Sequence, residues 1–145
     1  MRPNMLVRTN IDRMGLALAF VLVGCTSSRT VRPLRPLELA TAPYHEGAAQ
    51  ARIGSLMYEG GCLLFREDGS AAQLLPVWPS GSVFNGTIVI FHQPAKAEQR
   101  IAIGEEFVME GQPASWSALR PSDFRPFQNQ CNRQPFFVST VRPAN

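Results

Sequence analysis

After residue 50 the chain alternates short apolar runs with residues that favour turns, and no run keeps a 3.6-residue period. Runs of four to seven residues rich in β-branched, aromatic and aliphatic side chains are typical of strands. The predicted strands cover residues 53–59, 62–67, 72–78, 87–91, 100–103, 106–110 and 136–141. One short helix is predicted at 122–128, in an otherwise irregular segment.

Turn chemistry separates these strands at close spacing. Gly60-Gly61 interrupts the first pair, and Asp68-Gly69 is a strong hairpin signal. Pro76 lies inside the third predicted strand, where its missing N–H predicts an edge strand or a bulge. The pattern predicts an all-β fold, a small closed or partly open barrel of five to seven short strands, because closure removes exposed strand edges.

The most apolar stretch of the chain lies near its N-terminus, at residues 14–23. A helix needs roughly 20 apolar residues to cross a bilayer, so this run is too short. Its length, the preceding charges of Arg8 and Arg13, and the small Gly24 after it predict a secretory signal peptide. The alternative is a buried helix of the mature domain, but that helix would have no polar face.

Leu22, Val23, Gly24 and Cys25 together resemble the lipobox of bacterial lipoproteins. The resemblance implies that a peptidase cuts before Cys25, that its thiol carries a diacylglyceryl group and that the new amine is usually acylated. Two or three acyl chains anchor a protein stably, whereas one holds it only marginally. The resemblance therefore implies that the protein is exported and held in a membrane of the cell envelope through acylated Cys25. In Gram-negative lipoproteins, an Asp directly after the lipidated cysteine favours retention in the inner membrane. This chain has Thr26 at that position, which favours the outer membrane, at its periplasmic face.

The sequence therefore predicts three segments. Residues 1–24 are the lipoprotein signal peptide, 25–43 are the lipidated cysteine and a proline-rich tether, and 44–145 are the small β-barrel domain. Residues 26–43 carry three prolines and neither the helix nor the strand period. Fully extended, they would reach roughly 55–60 Å.

The charge distribution argues against a nucleic-acid partner. The chain has 14 Lys and Arg against 11 Asp and Glu, a formal charge of +3. That excess lies before residue 44, and eight basic and nine acidic residues remain beyond it. A near-neutral domain lacks the basic surface that phosphate binding needs.

The cysteines predict one disulfide. With Cys25 lipidated, Cys62 and Cys131 remain as an even pair, and an exported protein meets an oxidising compartment. The alternative is two reduced thiols, one of them reactive. Neither cysteine has a neighbour at CxxC or HxxxH spacing, so no metal and no cofactor is predicted.

Two blocks of sequence resemble known folds. The order "GTIVIF…RIAIGEEFVMEG", over residues 86–111, is similar to a strand pair of OB-like barrels. The block "GGCLLF…LLPVWPSG", over residues 60–81, resembles small bacterial envelope domains of unknown function. These resemblances imply a fold and not an activity, because such barrels host many functions.

Candidate chemistry is sparse. No nucleophile elbow, zinc-protease, phosphate-loop or dinucleotide motif occurs, and no catalytic residue is assigned. His92, at the end of a predicted strand, is a candidate ligand contact, with a surface histidine as the alternative. Trp78, at the end of the predicted strand 72–78, and Trp116 lie beside Pro and Ser where loops are predicted, so they are candidates to line a ligand surface, with burial in the core as the alternative.

These observations predict a lipid-anchored binding or structural module without catalysis. Its partner would be another envelope protein, a glycan or a small ligand. One alternative is a small envelope hydrolase with an unrecognised site, which a cluster of His92 with a carboxylate in a cleft would favour. Another is an OB-type binder of oligonucleotides or oligosaccharides, which a basic groove with exposed aromatic side chains would favour.

Overall fold

The computed structural model describes residues 32–47 and 49–145. The predicted signal peptide, the lipobox and Cys25 lie outside these residues. The strands are β1 (Thr41–Ala42), β2 (Gln50–Glu59), β3 (Cys62–Glu67), β4 (Gln73–Pro79), β5 (Val83–Phe84), β6 (Ile88–Phe91), β7 (Gln99–Ala102), β8 (Glu106–Pro113) and β9 (Gln134–Pro143). A short 3-10 helix (Trp116–Ala118) and one α-helix, α1 (Pro121–Gln130), separate β8 from β9.

Five of the strands form a ring. β2 pairs antiparallel with β3 and with β8, β3 pairs antiparallel with β4, and β8 pairs antiparallel with β9. A parallel pairing of β4 with β9 completes the circuit. The structure confirms the predicted β-rich fold. Its strands form a nearly closed ring, although this ring is not a barrel.

The interior of the ring holds the main core. Period-2 alternation sends one face of each strand inward, where large side chains from all five strands meet. The most deeply buried of them are Leu56, Phe65, Trp78, Met109 and Phe136.

A second, smaller core lies outside the ring, between β3, β4 and α1. Phe124 and Phe127 of the helix pack there with Leu64 of β3. β3 is therefore buried on both faces, which is the physical reason for its continuous apolar run. The helix predicted at 122–128 is confirmed within α1, which begins at Pro121, a residue that favours the first helical turn.

The Cys62–Cys131 disulfide is confirmed. It joins the first residue of β3 to the residue after α1, with 5.7 Å between the Cα atoms. Both cysteines are buried within the second core. The bridge therefore ties the helix to the ring, and the alternative of two reduced thiols does not hold.

The segment before residue 44 packs on the domain. β1 pairs in parallel with β4, and the backbone N–H of Trp78 donates to the carbonyl of Ala40 at 2.8 Å. Ala40 and Ala42 are buried in the second core, and Leu34 packs against it. The folded part thus begins before Tyr44, so the described end of the predicted tether belongs to the domain.

β4 is paired on both sides, so the edge strand predicted from Pro76 is wrong. One side of β4 pairs with β9, and the other pairs first with β3, at residues 73–74, and then with β1, at 78–79. Pro76 lies between those last two sets of pairs. Because strand residues alternate, its nitrogen faces the same side as the N–H of Trp78, at the break between β3 and β1. The backbone N–H that proline lacks would therefore face a gap in which no strand pairs with β4.

A second sheet of three strands, β5, β6 and β7, is inserted between β4 and β8. Val89, Phe91 and Ile101 project from it into the main core. The sequence predicts β6 and β7 but not β1 or β5, because two residues are too few to show an alternating pattern.

Candidate functional site

Trp78 does not line a surface. It lies in β4 and not in a loop, it is 0% exposed, and its ring meets Phe91 edge-on at 5.9 Å between centroids. Its indole Nε1 is buried without a hydrogen-bond partner among the described residues. The structure therefore makes Trp78 a core residue.

Trp116 and His92 lie apart from Trp78. Trp116 opens the 3-10 helix and is half-buried against the second core. His92 is exposed just after β6, and its backbone N–H donates to Oγ of Ser82 at 3.3 Å. No described cleft is lined by any two of the three candidates.

His92 has a carboxylate beside it. Its Nε2 lies 3.9 Å from Oε2 of Glu98, beyond hydrogen-bond distance, and both side chains are about half exposed. His92 also lines a shallow cleft with Tyr44, Ser80 and Gln93. A histidine, a serine and a carboxylate are thus near one another, without a hydrogen bond that joins them.

Two other carboxyl groups meet outside that cleft. The side chain of Glu106, at the start of β8, shares a hydrogen bond with Asp68, in the turn after β3. This bond, together with the like charge, raises the pKa of Glu106. A raised pKa favours the folded state at low pH, and that contribution is lost as the pH rises through the folded-state pKa.

We expect Asp68→Asn to lower the pKa of Glu106 and to raise the midpoint of thermal unfolding at pH 7, because it removes the repulsion between the two carboxylates. The gain should shrink as the pH falls through the raised pKa of Glu106 towards about 4.5, the usual pKa of Glu. NMR titration of the Glu106 carboxyl and melting curves at both pH values measure these effects. Glu46→Gln makes the same charge change away from the pair, and an equal gain from it would contradict this explanation.

The cleft with the best-defined chemistry lies between β7 and the end of β9. It has a volume of about 240 Å³. Its floor is apolar and buried, from Ile101, Phe107 and Val141. The lining residues are Gln99, Arg100, Ile101, Glu105, Phe107, Val141, Arg142 and Pro143. We call this site the β7–β9 cleft.

Two arginines stand at the mouth of the β7–β9 cleft. The Nε of Arg100 donates to Glu98 at 3.2 Å, and the Nε of Arg142 donates to Glu110 at 3.0 Å. The two side chains remain 68% and 55% exposed. Their Nη donors have no partner within the described chain, so both guanidinium groups can still bind an anion.

Sequence reasoning missed this cleft. The block from Arg100 to Gly111 does predict the two strands, β7 and β8. What it does not show is that β7 stands opposite the end of β9, about 40 residues further along the chain. No local signal marks such a pairing of distant segments.

Within residues 32–47 and 49–145, no three His, Cys, Asp or Glu side chains are grouped to hold a metal ion. In the same part of the chain, no helix has the length and apolarity needed to cross a membrane. No family model, no curated protein and no solved structure matches this chain.

Proposed function

We propose that this protein is a lipid-anchored binding module of the bacterial cell envelope. The Cys62–Cys131 disulfide indicates an oxidising, extracytoplasmic location. The lipobox-like residues Leu22 to Cys25 supply the proposed anchor at the end of a run of signal-peptide length. We further propose that the anchor holds the domain at the outer membrane.

The observation that carries the binding function is the β7–β9 cleft. It combines a buried apolar floor with two exposed guanidinium groups, an arrangement typical of a binding site. The five-stranded, near-closed ring also fits the proposed OB-like fold, which is a partly open five-stranded barrel. Folds of that kind bind ligands through loops and strand edges, with many different chemistries.

The domain would sit close to the membrane. Because the chain packs on the domain from Leu34 onward, residues 26–33 lie between this packed segment and Cys25. Eight extended residues reach about 26–29 Å, instead of the 55–60 Å expected for the longer tether. We infer that partners are bound near the lipid surface.

We expect metabolic labelling with a fatty-acid analogue to mark the wild-type protein and not Cys25→Ala. Cys25 is the proposed acyl acceptor, and the other two cysteines are joined in a disulfide. In-gel detection of the label after detergent extraction of the envelope measures this. Cys62→Ala with Cys131→Ala is the control and should remain labelled. Equal labelling of wild type and Cys25→Ala would contradict the anchor.

A serine hydrolase is the second candidate, favoured by one observation: Ser80 and His92 line the same cleft, and Glu98 lies beside His92. Such an enzyme uses the hydroxyl as nucleophile and the imidazole as base. A fluorophosphonate probe separates the two functions. If the probe labels the wild-type protein and Ser80→Ala abolishes that labelling, the protein is a serine hydrolase. If the probe does not label the wild-type protein, this second candidate function is excluded. An oligonucleotide partner is not proposed, because the domain is near neutral.

A further inference from the structure

One edge of the β7–β9 cleft is the free edge of β7, which pairs only with β6 among the described strands. The N–H of Ile103 donates to the carbonyl of Thr87, so this opposed pair is hydrogen-bonded. Antiparallel pairs alternate between bonded and non-bonded, so the backbone groups of Ala102 and Arg100 point away from β6. Those of Ala102 bond to Glu105 in the turn. The N–H and C=O of Arg100 therefore face the cleft edge unpaired.

The facing edge belongs to β9, and the same alternation locates its free groups. The N–H of Asp68 donates to the carbonyl of Ile53, so Ile53 faces β3. Its neighbour Arg52 then faces β8, where it is opposite Met109. The backbone groups of Met109 are therefore turned towards β2 and away from β9.

Val108 is consequently turned towards β9, where it is opposite Arg142. The next residue on β9, Val141, then points its N–H and C=O away from β8. β4 pairs with β9 only as far as Phe137, so no described strand covers this part of the edge. Beyond Phe137 this edge of β9 is therefore unpaired, with Val141 on one side of the cleft and Arg100 of β7 on the other.

We propose that an extended peptide segment of a partner protein binds in the β7–β9 cleft by strand addition. An extended chain carries alternating donors and acceptors on both sides, which match unpaired groups on two facing strand edges. Every second side chain of the peptide would rest on the apolar floor of Ile101, Phe107 and Val141. A carboxylate on the peptide would accept hydrogen bonds from the free Nη groups of Arg100 and Arg142. This inference rests on the proposed binding function and names its partner class.

The substitution that tests strand addition is Arg100→Pro. Proline removes the backbone N–H that faces the cleft, and it leaves the pairs with β6 intact because Arg100 occupies a non-bonded position there. Arg100→Ala is the matched control, since it removes the same side chain and keeps the donor. Circular dichroism and the urea unfolding midpoint show whether each variant folds.

The probe is a phage-displayed library of random nine-residue peptides, selected on the full-length protein in detergent. We expect peptides that alternate apolar and acidic residues. Their affinity should fall about tenfold or more in Arg100→Pro and only two- to fivefold in Arg100→Ala. On the wild-type protein, hydrogen exchange of the Arg100 and Val141 amides should slow at least tenfold with peptide bound, which tests the proposal even if Arg100→Pro misfolds.

Other outcomes would overturn it. If the selected peptides bind Arg100→Pro and wild type equally and protect neither amide from exchange, they bind outside the cleft and the proposal is wrong. If the selection returns no peptide binder, strand addition is excluded. A glycan-array signal that Arg100→Pro retains would then show that the protein is a binding module with a different ligand. Fluorophosphonate labelling of Ser80, by contrast, would overturn the binding function itself.

Discussion

Removing the Cys62–Cys131 disulfide is expected to lower the free energy of unfolding by about 4 kcal/mol. The two cysteines are 69 positions apart, and the cross-link restricts the unfolded chain by an amount that grows with loop length. Net stabilities of domains lie between about 5 and 15 kcal/mol, so the loss is a large share of the total. The double variant Cys62→Ala with Cys131→Ala, followed by urea unfolding, measures it.

Reduction provides the control for this prediction. Dithiothreitol should destabilise the wild-type protein by a similar amount and should leave the double variant unchanged. Near-ultraviolet circular dichroism before unfolding shows whether the native packing of α1 on β3 survives without the bridge. A double variant within 1 kcal/mol of wild type would mean that the bridge contributes little beyond the packing around it.

Trp78→Ala is expected to lower the free energy of unfolding by about 3–5 kcal/mol. The side chain is 0% exposed and packs on Phe91 inside the ring, so its removal leaves a large cavity. Trp78→Phe should cost much less, because it keeps an aromatic ring and removes the unpartnered buried Nε1. Chemical denaturation of the two variants beside wild type gives both values.

Trp116→Ala is the matched control, since it removes the same side chain from a half-buried position at the edge of the second core. We expect it to cost about 1 kcal/mol, typical of single substitutions. If Trp78→Ala cost no more than Trp116→Ala, the assignment of Trp78 to the core would be wrong.

Local chemistry was enough to predict most elements of this domain. The apolar runs of β2, β3, β4, β6, β7, β8 and β9 are bounded by Gly, Asn and Asp residues whose turn preferences act over two to four positions. The cysteine pairing was also accessible, because removing Cys25 from the count left one possible pair. These inferences depend on residues adjacent in sequence or on the number of cysteines, and neither requires knowledge of the path of the chain in space.

The positions of particular side chains were not accessible in that way. Trp78 ends the predicted strand 72–78, and Pro79 and Ser80 beside it have the composition of a loop, yet parallel pairing with β1 carries β4 through Trp78 to Pro79 and buries the indole ring. Pro76 lacks an N–H donor, which predicts an edge strand or a bulge, but the gap between β3 and β1 accommodates it inside the sheet. In both cases, contacts with distant segments outweigh the local preference.

The start of the domain and the β7–β9 cleft depend wholly on long-range contacts. Residues before Tyr44 have the proline content of a tether. They fold because the end of β4 offers backbone groups with which β1 can pair, and because the second core beside α1 offers an apolar surface. The cleft exists because β7 and β9, far apart in the chain, end opposite each other with unpaired edges. The sequence pattern therefore predicted the longer strands, all except the two-residue β1 and β5, and the cysteine pair. Strand order, burial and the open edges follow from pairings between distant segments, whose energies no local window of sequence contains.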